Sequence, residues 1–287
     1  MLPYDSTVTD HGAQLSGSIE ILKLCRDLEV LIRPRTYQYA MRTLTFDFDA
    51  ETMTFPSLKR LEWWHNNEAE RSGGINSLAA VLDNAPNLEY LFIGGAVGMH
   101  STMLKSDILD LPRLKTLRLF SVSGILLHQI CSRMSFPALS HVVIDSVVNQ
   151  GDMQHFWQTR ASEIKTVEFG KHMRFMMGDE VTQCLELSPN VQDVNYYLFF
   201  TSPPRFTGVH HSVYTIGLNT AINMALTEEA TWEHIEKHFS FFLGPSLPSL
   251  RHVKLYGDWA KFVNEERFLP YRNGLFNRRC TIMHQPS

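Results

Sequence analysis

Long apolar runs are missing from this chain. No stretch approaches the ~20 consecutive apolar residues that span a bilayer, so no membrane segment is expected. A basic excess is missing too: 26 Lys+Arg stand against 30 Asp+Glu, a net charge of -4. That balance argues against the broad basic face with which nucleic-acid binders neutralise phosphates. Cysteine is scarce and unpaired, since Cys25, Cys131, Cys184 and Cys280 lie far apart and form no C-x-x-C. A disulfide framework and a zinc site built on paired cysteines are thereby disfavoured. The start, Met1-Leu2-Pro3-Tyr4-Asp5, has neither the basic stretch nor the apolar core of a secretory signal. Widely spaced thiols and 12 methionines fit a reducing compartment, so a cytoplasmic or nuclear location is expected.

Catalytic signatures are also lacking. There is no Gly-x-Ser-x-Gly elbow. Gly94-Gly95-Ala96-Val97-Gly98 has neither the Lys-Ser/Thr of a phosphate loop nor the spacing of a dinucleotide fingerprint, and reads as a strand-exit turn. Gly73-Gly74 reads the same way. His234 and His238 stand four apart, but in His-Ile-Glu-Lys-His the Glu is misplaced for a His-Glu-x-x-His zinc motif. With no third ligand evident, solvated helix-face histidines are expected. His210-His211 reads as loop surface. Cys25, Cys131 and Cys184 sit beside or on apolar helical stripes, where inert buried thiols are the rule. Cys280, next to Arg278 and Arg279, is the thiol expected to be most reactive. No catalytic residue, cofactor or metal ligand is assigned.

What the chain does contain is a repeat. A Pro is followed by leucine-like residues two and five positions later, often with another two beyond. The phrase occurs as Pro56-Leu58-Leu61-Trp63, Pro86-Leu88-Leu91-Ile93, Pro112-Leu114-Leu117-Leu119 and Pro137-Leu139-Val142-Ile144. It continues as Ile164-Val167-Phe169 without the Pro, Pro189-Val191-Val194-Tyr196, the weaker Val213-Ile216-Leu218, and Pro248-Leu250-Val253-Leu255. Leu28-Leu31 and Met41-Leu44-Phe46 look like earlier copies. The first apolar positions, 58, 88, 114, 139, 164 and 191, recur every 25 to 30 residues. That is in or near the ~20–29-residue period of leucine-rich repeats.

Between the phrases the apolar spacing becomes helical. Ile75, Leu78, Ala79 and Leu82 follow i, i+3, i+4, i+7, and so do Leu127, Ile130, Cys131 and Met134. Met153, Phe156 and Trp157 form another stripe, as do Val181, Cys184 and Leu185. A longer helix is expected from Thr227, whose hydroxyl can cap it, with Glu228 and Glu229 favourably placed at its positive end. Its stripe is Trp232, Ile235, Phe239 and Phe242. Each Pro then stops a helix and turns the chain into a strand.

The predicted fold is therefore α/β: a leucine-rich-repeat solenoid with a curved parallel sheet on the concave side and helices on the convex side. The repeats are irregular, and Val122 stands where the usual Asn would fall. One domain over residues 1–287 is expected, with repeats from about 19 to 256, an irregular insertion at about 197–227 and a C-terminal cap at about 257–287. The insertion, with Ser202-Pro203-Pro204 and His210-His211, reads as a protruding loop. The cap is expected to bury Trp259, Phe262 and Phe268 partly against the last repeat.

The phrases Leu24-Cys25-Arg26-Asp27-Leu28-Glu29-Val30-Leu31, Ala85-Pro86-Asn87-Leu88-Glu89-Tyr90-Leu91 and Phe136-Pro137-Ala138-Leu139 resemble the leucine-rich-repeat regions of fungal F-box-like proteins, particularly those of mushroom-forming fungi. Gly257-Asp258-Trp259, Arg267-Phe268-Leu269-Pro270 and Arg278-Arg279-Cys280 are similar to how such regions close. The resemblance implies a substrate-holding repeat region and, through an F-box, docking on cullin-type ubiquitin ligase components. Here the repeat reading begins by about Ile19, which leaves no room for an F-box. A fragment or a repeat-only relative is expected on that account.

In a solenoid the residues flanking the inward positions line the concave face. These are Arg60, Glu62 and Trp64; Tyr90 and Phe92; Thr116, Arg118 and Phe120. The strip continues with His141 and Asp145, Glu168, Asn195 and Tyr197, then His252, Lys254 and Tyr256. Arg60, Trp64, Tyr90, Phe92, Arg118, Phe120, His141 and Tyr256 are the candidate protein-binding residues, because aromatics and Arg dominate interface hot spots. The expected function is a non-enzymatic scaffold for an unidentified protein ligand, with neither nucleic acid nor membrane as partner. Two alternatives stay open: an enzyme with a site in the 197–227 segment, and a degenerate repeat protein of purely structural role.

Overall fold

The repeated phrase folds into a repeated turn. In Phe55-Pro56-Ser57-Leu58 the Leu58 amide donates to the Phe55 carbonyl at 3.2 Å, and Pro occupies the second position, where its fixed φ suits the turn. The same bond closes Ala85–Leu88 (3.2 Å), Leu111–Leu114 (3.1 Å), Phe136–Leu139 (3.0 Å), Ser188–Val191 (3.2 Å) and Leu247–Leu250 (3.3 Å). Ala161–Ile164 makes it without a Pro, at 3.3 Å. The leucine-like residue that ends each turn is buried, and the chain leaves it as a strand.

The protein is described from a computed structural model covering residues 20–33, 53–65, 70, 74–95, 108–147, 150–171, 179–221 and 227–285. The Met41-Leu44-Phe46 phrase, Gly73 and Ala96-Val97-Gly98 lie outside the described residues. The architecture is α/β, the strand pairings described within each unit are parallel, and the chain divides into two compact units, residues 1–139 and 140–287.

In the first unit β1 (Val30–Arg33), β2 (Arg60–Trp64), β3 (Tyr90–Gly94) and β5 (Thr116–Val122) lie side by side in chain order. The register aligns Leu31, Leu61, Leu91 and Leu117 in one row. The helix α1 (Leu78–Asp83) lies between β2 and β3, and α2 (Gly124–Arg133) follows β5; they are capped by Ser77 and Ser123, whose hydroxyls accept the Ala80 and Leu126 amides. A small parallel pair, β4 (Leu109–Asp110) and β6 (Met134–Ser135), stands apart from the main sheet. Leu78, Ala79, Leu82, Leu127 and Ile130 bury the helical stripes read from the sequence, with Leu61, Trp63, Leu91 and Leu117 among the buried strand residues of this unit.

The second unit repeats the plan with β7 (His141–Val147), β8 (Thr166–Phe169), β9 (Asp193–Tyr197), β10 (Thr215–Asn219), β11 (His252–Tyr256) and β12 (Thr281–Gln285). Its helices are α3 (Gln150–Arg160), α4 (Glu180–Leu187), α5 (Glu228–Leu243), α6 (Ala260–Val263) and α7 (Leu269–Asn277). Thr227 caps α5 through the Ala230 amide, and Trp232, Ile235, Phe239 and Phe242 are all buried. Among the described residues no helix is long and apolar enough to cross a membrane.

A bifurcated bond joins successive strands at their starts. The Lys59 carbonyl accepts the Glu89 and Tyr90 amides at 2.8 and 2.9 Å, and the Glu89 carbonyl accepts Lys115 and Thr116 at 2.9 and 3.0 Å. The second unit does the same from Lys165 to Gln192 and Asp193 and from Gln192 to Tyr214 and Thr215. Each new strand is thus pinned in register before its ladder begins, so the alternation of inward and outward side chains is not free to slip.

The region after β11 is more than a cap. Trp259 and Phe268 are buried, and the Trp259 indole N–H donates to the Leu218 carbonyl at 3.1 Å. Beyond them the chain adds β12, a strand that carries no Pro-x-Leu phrase. The Arg278 guanidinium donates to the carbonyls of Phe242, Gly244 and Leu247, which closes the end of α5.

Candidate protein-binding face

The outward residues of β2, β3 and β5 form one connected patch. Register places Arg60, Tyr90 and Thr116 in one row, Glu62, Phe92 and Arg118 in the next, and Trp64, Gly94 and Phe120 in the third. Arg60 lies over the Tyr90 ring at 4.5 Å and pairs with Glu62; Arg118 stands 5.9 Å from the Phe92 centroid. In the third row the middle residue has no side chain, so Trp64 reaches across it. Its ring makes edge contacts with both Phe92 and Phe120, at 5.4 Å in each case.

Two glycines make that reach feasible. A Cβ on Gly94 would stand 2.8 Å from Phe92 Cζ and 3.1 Å from Trp64 Cε3, and one on Gly95 would stand 2.7 Å from Trp64 Cε3. Gly95 also has φ of +82°, a left-handed conformation that disfavours other residues. Gly94 ends β3 and Gly95 follows it, and the pair serves as the saddle for Trp64. Trp64, Tyr90, Arg118 and Phe120 are half-buried, Arg60 is exposed, and Phe92 is only 9% exposed beneath its neighbours.

His141 and Tyr256 belong to the second unit and do not meet, with β8, β9 and β10 between their strands. His141 Nε2 lies 3.0 Å from Glu168 Oε1. Tyr256 extends over Gly217, where a Cβ would come within 2.0 Å of Asn195 Oδ1 and 3.0 Å of the Tyr256 ring. Burial raises the Tyr256 hydroxyl above its usual range, and the charges of Glu168 and Asp193 add to the effect. The part played by Gly217 and Asp193 was missed from sequence, whereas Asn195 was already in the expected strip. A glycine inside a strand phrase was the available signal.

The histidines are not surface groups. His238 is 0% exposed and His234 is 7% exposed. His238 Nδ1 lies 2.9 Å from the Tyr196 hydroxyl, and its Nε2 lies 3.2 Å from both the Thr201 carbonyl and His234 Nε2. His234 Nε2 lies 2.7 Å from the Leu198 carbonyl. The expectation of solvated helix-face histidines is corrected: the helical stripe is wider than its apolar members, because each ring finds a carbonyl of the 198–201 turn. Among the described residues no group of three His, Cys, Asp or Glu is placed to hold a metal ion.

The 197–227 segment is anchored at several points, although Arg205, Thr207, Gly208, Val209 and His211 are exposed. His210 is buried, with Nε2 2.9 Å from the Ser188 carbonyl and Nδ1 3.3 Å from the amides of Ser212 and Val213. The Arg205 amide donates to Asp179 Oδ2 at 2.6 Å. The segment carries β10 and holds both ends of α4, through Arg205 at Asp179 and His210 at Ser188. Cys280 is buried, and that burial pushes its thiol up to about 11 despite Arg278 and Arg251, which argues against the reactivity read from its flanking arginines.

No family model matches the chain, and no curated protein matches it in sequence.

Proposed function

We propose that the chain is a leucine-rich-repeat solenoid whose strand face binds a protein partner without catalysing a reaction. The observation that carries the reading is the Trp64–Phe92–Phe120 cluster with Arg118 and Arg60 beside it on outward strand positions, where Trp64, Phe120 and Arg118 are half-buried and Phe92 lies beneath them. Rigid aromatics and arginine on a regular sheet offer a large contact area at little entropic cost, the make-up of an interface centre. The solenoid itself is supported by the recurring turn, the in-order parallel strands and the helices between them.

Within that reading, the resemblance to fungal F-box-like proteins makes the partner a substrate of a cullin-type ubiquitin ligase. A catalytic site in the 197–227 segment is the less favoured alternative, since His210 is spent on the Ser188 carbonyl and on its own turn. A photo-crosslinking amino acid at position 120 tests the proposal against the same group at Gln158 on α3. Discrete adducts from a fungal lysate at 120 alone would support a binding face, and ligase subunits among co-purifying proteins would support the kinship. Equal labelling at both positions would count against the face.

A further inference from the structure

We propose that Tyr196, His234 and His238 form an acid-sensitive latch that holds the 198–201 turn on α5 near neutral pH and releases it on proton uptake. The spacing i, i+4 puts both rings on one face of α5, with centroids 4.7 Å apart. Neutral rings satisfy the cluster. His234 Nε2–H donates to the Leu198 carbonyl, His238 Nε2–H donates to the Thr201 carbonyl, and the Tyr196 hydroxyl donates to His238 Nδ1.

A proton added to His238 must go to Nδ1. It reverses the bond to Tyr196 and places a cation in a fully buried site, with the second ring's Nε2 only 3.2 Å away. The charged groups bearing on His234 come from α5 itself, Glu233 and Lys237, and are opposite in sign. Asp179, ahead of α4, acts on Tyr196. Burial accordingly lowers both imidazoles below the ordinary histidine range, His238 further because it is the more deeply buried and, second, because His234 stands beside it. Opening the turn hydrates the rings and lets them charge, so acid favours the open form. The fold gives this opening a local route, because the rings bond the carbonyls of one short turn between β9 and the segment leading to β10.

The test is amide hydrogen exchange of the full chain at pH 7.5, 6.5 and 5.5, corrected for the intrinsic pH dependence of exchange. Protection around Leu198–Thr201 is expected to fall by up to about tenfold per pH unit below ~6.5 for each proton taken up, while β8 keeps its protection. His238→Gln, which keeps an amide in the cluster and cannot titrate there, is expected to flatten the response. A pH-independent protection ratio in the wild type, or a fall shared equally by β8, would overturn the proposal. So would an unchanged response in a folded His238→Gln. The wild-type series decides the matter even where the variant does not fold.

Discussion

Trp64 and Phe120 touch edge to face at 5.4 Å although a whole strand, β3, separates theirs, because Gly94 contributes no side chain between them. The contact makes the glycine pair part of the candidate face. Gly94→Ala is expected to displace Trp64 and weaken partner binding, and Gly95→Ala adds the strain of a left-handed alanine, about 1 kcal/mol or more. Near-UV circular dichroism and urea titration of both variants check this. Unaltered tryptophan signals in both would show that the saddle has no role.

Glu70 caps α1 from outside the helix. Its carboxylate accepts the Ser77 hydroxyl and the Leu78 amide, each at 2.7 Å, and the Ala79 amide at 3.2 Å, in a buried setting. Glu70→Ala strands these donors, at an expected loss of about 2–3 kcal/mol, whereas Glu70→Gln keeps an acceptor and is expected to lose less. Denaturant midpoints of the two variants supply the comparison.

Arg278 is expected to resist conservative exchange. A planar guanidinium reaches the carbonyls of Phe242, Gly244 and Leu247 together, and an ammonium lacks that fork. Arg278→Lys should therefore lose most of what Arg278→Ala loses, on the order of 2 kcal/mol. A lysine variant as stable as the wild type would assign the position to charge alone.

Stability is expected to peak between mildly acid and neutral pH. Burial pushes the Glu180 carboxyl up to about 7, with the charge of Asp179 adding to the shift. Its contribution is complete below the ordinary carboxyl range and is lost as pH rises through 7. The lowered imidazoles of His234 and His238 act on the other side, since the unfolded chain binds more protons below ~6.5 and stability falls there. Glu180→Gln should gain on the wild type between pH 5 and pH 8, by on the order of 1–3 kcal/mol. Thermal unfolding across that range reads the difference.

Much of the fold was legible because the Pro-x-Leu phrase is a local device. Its turn needs only a Pro at the second position and an apolar residue to bury at the fourth, so Leu58, Leu88, Leu114, Leu139, Val191 and Leu250 announce their strands directly. The strand β12 was not legible, since Thr281–Gln285 follows Arg279, at φ of +58°, rather than a Pro turn. The histidines were misjudged for a related reason. Spacing places His234 and His238 on the buried side of α5, yet their burial depends on the Leu198 and Thr201 carbonyls, which only the folded chain brings to them. The candidate face was legible residue by residue, because alternation along a strand is strict. The crossing of Trp64 to Phe120 was not, because it depends on the register of three strands.

The central claim is best tested by quantitative affinity capture from a fungal lysate with three forms of the chain. These are the wild type, a Tyr90→Ala, Arg118→Ala, Phe120→Ala triple variant, and Gln158→Ala as a control on α3. The account predicts partners that the wild type and the control retain and that the triple variant loses at least tenfold while keeping a cooperative fold. The same proteins in equal amounts from all three would contradict it.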